Sequence, residues 1–80
     1  MIAYVKWVDS SHIIGWKKRR DARPMLGLAV CETVGFVVAE TDEYLTLAQS
    51  LDDDKGDSQG WDAIMSIPIV CIKKRRVLKK

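Results

Sequence analysis

Residues 2–9, IAYVKWVD, follow a two-residue period, with Ala3, Val5 and Trp7 on one side and Tyr4, Lys6 and Val8 on the other. That alternation, with its β-branched and aromatic content, predicts a half-buried strand and not a helix. The connection that follows, SSHIIGWKKRRDARPMLG, loses the alternation. Within it, Trp16 to Arg23 is predicted as two helical turns ended by Pro24, because proline disfavours helical dihedrals in the residue before it.

The strongest pattern is LAVCETVGFVVAETDEYLTLAQSL. Val30, Val34, Phe36 and Val38 share one face of a second strand, and Leu45, Leu47 and Leu51 share a face of a third. Glu40 to Glu43 form a polar turn short enough for an antiparallel hairpin. Gly35, in mid-strand, predicts a bulge or a sharp bend. After the polar loop DDDKGDSQG, WDAIMSI reads as a fourth strand and CIKKRRVL as a fifth. Between them, Ile67-Pro68-Ile69-Val70-Cys71-Ile72 predicts a single tight 3₁₀ turn. Proline presets the first dihedral there and gives up no hydrogen bond, while Ile67 and Ile72 bracket the turn into the core.

This IP…I…L ending resembles that of SH3-like and Sm-like small barrels, where one 3₁₀ turn joins the last two strands. The hairpin VGFVVAETDEYLTLA resembles their bent second and third strands. Across most of the chain, VKWVDS, GW, VGFVVAETDEYLTLAQS, IP and CIKK resemble a group of short, uncharacterised proteins encoded by tailed phages and prophages. The resemblance implies a mainly β chain: a five-stranded SH3-like or Sm-like small barrel with a short helix or 3₁₀ turn. Residues 1–80 would form that single domain, in the cytoplasm of a phage-infected bacterial cell. It carries no activity over to any residue. Sm-like barrels join edge strands between subunits, so the resemblance also implies a homo-oligomer.

Composition agrees with a folded domain. With 80 residues, 48% hydrophobic and 30% charged, the chain has one small core in which every large apolar side chain counts. No run reaches the roughly 18 apolar residues of a membrane span, so no membrane partner is expected. Lys6 interrupts the start, MIAYVKWVDS, which predicts no secretion signal and an intracellular protein. Cys31 and Cys71 each lie in an apolar stretch and read as reduced core thiols. With a single histidine, His12, they cannot complete a tetrahedral zinc site, so no metal or cofactor is expected.

Catalytic chemistry finds no footing. His12 has no neighbouring nucleophile beyond Ser10 and Ser11 and, as a lone histidine beside serines in a polar turn, reads as surface, and the five glycines are scattered, not gathered into a phosphate cradle. Asp52, Asp53 and Asp54 invite a calcium reading, but an EF-hand loop with Gly56 at its sixth position would begin at Leu51, which is no ligand. The chain is expected to be non-enzymatic, with no catalytic residue.

The net charge of +2 conceals segregation. Seven acids (Asp42, Glu43, Asp52, Asp53, Asp54, Asp57 and Asp62) stand against Lys55, and six bases follow from Lys73 to Lys80 with no acid. Lys-Lys-Arg-Arg occurs twice, as Lys17, Lys18, Arg19 and Arg20 after Trp16, and as Lys73, Lys74, Arg75 and Arg76. In a strand the second run charges both faces, so it must lie on an edge or project beyond the sheet before Val77 and Leu78 regain apolar contact. Charged side chains also protect an edge from unwanted pairing. Both runs, with Trp16, are candidates for binding RNA or single-stranded DNA by phosphate contact and base stacking. The alternative is a protein–protein effector that docks on a host or phage protein, such as a host-defence component. Asp9, Ser10 and Trp61 are its candidate contacts, Asp9 and Ser10 reading otherwise as turn chemistry. Trp7 is expected in the core, and Trp16 and Trp61 at the surface.

Overall fold

The computed structural model describes residues 1–10, 16, 18–22 and 27–80, with residues 21 and 22 as backbone only. The alternating pattern forms the first strand as expected: β1 spans Ile2–Asp9, and Ala3, Val5 and Trp7 are buried. Four more strands follow, β2 (Ala29–Glu40), β3 (Tyr44–Leu51), β4 (Trp61–Pro68) and β5 (Ile72–Lys79). They form one antiparallel sheet in the order β4-β3-β2-β1-β5. The 3₁₀ turn Ile69–Cys71 joins β4 to β5 at Pro68, and its start is held by the Ile69 N–H donating to the Glu43 carbonyl at 2.9 Å.

Thr41 shapes the β2–β3 turn. Its N–H donates to the Tyr44 carbonyl, and its Oγ1 accepts from the N–H groups of Glu43 and Tyr44, each at 3.1 Å. β2 is long enough to serve two neighbours: residues up to Phe36 pair with β1, and residues from Phe36 onward pair with β3. At this crossover the sheet turns over a single core of Val5, Trp7, Leu45, Leu47 and Ile67, with Cys31, Val37, Ile69 and Ile72 packed against it. Gly35 makes the turn possible. A side chain there would meet the Ala48 carbonyl oxygen at 3.0 Å and Leu47 Cβ at 3.2 Å. Of the bulge or bend expected at Gly35, no bulge falls there, since the β1 ladder runs through it in register; a bulge lies at Val38, where Val37 pairs with Leu47 and Ala39 with Thr46.

Burial follows from this curvature. Trp7 closes one end of the core and donates from Nε1 to Thr33 Oγ1 at 3.0 Å. On β3 both faces are covered, so Thr46 is buried and shares a 2.8 Å hydrogen bond with Ser66 on the opposing strand. Val30 and Val34 do share a face, but it is the exposed outer one, because Cys31 and Thr33 point with Val5 and Trp7.

Two expectations are met in part. Of the helical stretch expected over Trp16 to Arg23, Arg19–Ala22 forms one turn, Trp16 and Lys18 stand outside it, and Lys17 and Arg23 lie outside the described residues. Trp16, Lys18, Arg19 and Arg20 are all exposed. Val77 and Leu78 regain apolar contact only in part, Val77 opposite the buried Ala3. Both remain about half exposed on β5, because that strand has a neighbour on one side only. The ladder also ends there: β4 and β5 are not hydrogen-bonded to each other, and the sheet stays open between them.

Candidate binding surfaces

β5 is an edge strand, as its four consecutive bases require, and its register divides them among different surroundings. Trp7 pairs with Ile72 and Lys6 with Lys74, so Lys73 is an extra residue, a bulge. The bulge sets Arg75 opposite Val5, on the core side, and Arg76 opposite Tyr4, on the outer side. Arg75 then reaches Glu40 at the far end of β2, with Nη1 and Nη2 each 2.9 Å from a carboxylate oxygen. The hydrogen bond from Arg75 and its charge hold the Glu40 carboxyl below its ordinary pKa against a smaller opposing effect of burial.

The outer side carries the other members. The Arg76 guanidinium lies 5.3 Å from the centroid of the Tyr4 ring, within cation–π range. Tyr4 donates its hydroxyl to Glu32 Oε2 at 3.1 Å. Partial burial raises the pKa of that phenol, helped by the bond to Glu32 and its negative charge, while Arg76 pulls the other way. Lys6 lies between Lys74 on β5 and Glu32 on β2. Tyr4 and Lys6 thus belong to the basic surface. Their common face was visible in the β1 alternation, but its neighbours on β5 were not.

The first basic tetrad sits elsewhere, in the β1–β2 connection. Trp16 is fully exposed, and Lys18 and the helical-turn residues Arg19 and Arg20 are exposed. Lys17, Ser11, His12 and Pro24 lie outside the described residues.

At the end of β1, Asp9 and Ser10 adopt the turn chemistry expected of them. Ser10 N–H donates to Asp9 Oδ1 at 2.7 Å. They also line an open recess of about 430 Å³, with Val8, Leu28, Val70, Cys71 and the bulged Lys73. Its floor is apolar and its rim bears one acid and one base. Trp61 borders a second recess of about 300 Å³ beside Ser50, Leu51, Asp52, Gly60 and Asp62. Trp61 is part-exposed, and so are Ile64 and Met65 farther along β4.

The acidic loop is organised from within. Asp52 accepts the N–H groups of Asp54 and Gly60 at 3.0 and 2.9 Å. No cluster of three or more metal-ligating side chains occurs among the described residues. Cys31 and Cys71 are half-buried and not bonded to each other. No helix among the described residues is long and apolar enough to cross a membrane. Compared with known proteins, the chain matches no family model, no curated protein and no solved structure.

Proposed function

We propose that this chain is a non-enzymatic binding module on a small SH3-like or Sm-like barrel, of phage type and acting in the bacterial cytoplasm, and that it binds single-stranded nucleic acid. The observation that carries the binding role is the edge strand β5, which presents Lys73, Lys74, Arg75 and Arg76 in one exposed run. Trp16, Lys18, Arg19 and Arg20 offer a second exposed basic segment with an aromatic side chain for stacking. The strand order, the shared core and the single 3₁₀ turn before β5 support the barrel.

The two open edges support self-association. β4 exposes an apolar edge with the acidic Asp52–Gly60 loop at its start, and β5 exposes a basic one. Apolar edges are templates for pairing with another strand, and opposite charges orient the encounter.

Binding to single-stranded oligonucleotides is expected to weaken steeply with salt, because each neutralised phosphate releases counterions. A protein that passes heparin unretained at low salt and shifts no oligonucleotide overturns the reading. A second reading, a protein-docking effector, is favoured by the recess that Asp9 and Ser10 line and by the exposed Trp61. A host protein that stays bound after nuclease treatment would select it.

A further inference from the structure

Lys6 and Lys74 are direct partners across the β1–β5 ladder. Like charges placed directly opposite each other destabilise a strand pair. Glu32 faces Lys6 from β2, yet its Oε2 accepts the Tyr4 hydroxyl, and neither lysine is in an ion pair among the described residues. One pair farther along the same outer face, Tyr4 stands opposite Arg76 and the guanidinium lies over its ring. Three cations therefore share a short strip with a single carboxylate that is already engaged. Folding alone gives no reason for this arrangement.

Resting on the nucleic-acid reading above, we infer that Lys6, Lys74 and Arg76 form a phosphodiester-binding strip on the outer face of β1 and β5. Tyr4 acts as a positioning residue that holds Arg76. The lysine pair and the Tyr4–Arg76 pair are two residues apart, about 6.5 Å along the strand. That length is comparable to one nucleotide step of an extended single strand. One phosphate sits between the opposed ammonium groups and relieves their repulsion, and the next meets the guanidinium. Arg75 takes no part, since both its terminal nitrogens are bound to Glu40. The Lys73 bulge enforces the division. Were the same sequence to pair on from Ile72 with no bulge, Arg75 would fall opposite Tyr4, and the tie to Glu40 would lose its arginine.

The test compares two double variants of equal charge change, Lys6→Gln with Lys74→Gln and Lys55→Gln with Lys80→Gln, by titrating a single-stranded oligonucleotide across a salt series. The first double variant is expected to bind more than tenfold more weakly at low salt. Its logarithmic salt slope should be shallower by about 0.7, the value for the one phosphate that the two lysines share on a single strand. Its Tm should equal or exceed that of the wild type, because a like-charge pair is gone. The Lys55–Lys80 variant should lose distinctly less. Equal losses in the two variants, or wild-type affinity and slope in the first, overturn the strip and leave the nucleic-acid reading standing. A lowered Tm in the first variant makes the lysines structural and also overturns the strip. Wild-type protein that binds no oligonucleotide removes the strip and the broader reading together.

Discussion

Arg75 and Glu40 meet fork to fork, with both guanidinium nitrogens 2.9 Å from the two carboxylate oxygens. They are 35 residues apart in the chain and lie in strands separated by β1 in the sheet. The pair ties edge strand β5 to the far end of β2, beyond the last residue that β1 reaches. A bidentate arginine–carboxylate pair adds geometric definition as well as attraction.

That tie has a pH signature. Glu40 has a lowered pKa in the folded chain, chiefly from the Arg75 hydrogen bond. Its contribution is therefore fully present above the unfolded carboxyl pKa of about 4.3 and is lost as pH falls through the lower folded value. Glu40→Gln should lower the urea midpoint at about pH 7, by a modest amount that shrinks in added salt because the pair is part-exposed. The gap from wild type should close in acid. A gap that stays constant through the acid range would refute this role.

Gly35 is fixed by space, not by unusual dihedrals. Because the Ala48 carbonyl and Leu47 Cβ crowd the position, Gly35→Val should destabilise by about 1–3 kcal/mol. Denaturant titration reads this directly, and an unchanged midpoint would mean that the crossover of β2 does not need so close an approach.

Leu45 is fully buried between β2 and β4. Leu45→Ala should cost about 2–5 kcal/mol, a large share of what so small a domain has. Val30→Ala, on the outer face, should change stability by only about 0.5 kcal/mol or less. Thermal melts of the two variants side by side test the assignment of the faces. Comparable losses would contradict it.

Self-association through β4 predicts a mass above 9.1 kDa by light scattering at micromolar concentration. Ile64→Lys with Met65→Lys puts charge on that exposed edge and should shift the protein toward the single-chain mass without lowering its strand content. A wild-type protein that scatters as one 9.1 kDa chain would dispose of the proposal.

The sequence by itself determined the elements whose causes are local. Alternation placed β1 and its buried Ala3, Val5 and Trp7. Polar residues placed the β2–β3 turn, and Pro68 placed the 3₁₀ turn. Four consecutive bases demanded an edge, and β5 is one. Each follows from a side-chain period or a dihedral preference within a few residues. Only the tertiary structure decided which base serves which purpose. The strand period is two, so one extra residue in a ladder sends every later side chain to the opposite face. The bulges at Val38 and Lys73 arise from pairing with distant strands, and no local pattern marks them. They alone bring Arg75 to Glu40 and Arg76 to Tyr4, and they open the outer face where Lys6 meets Lys74.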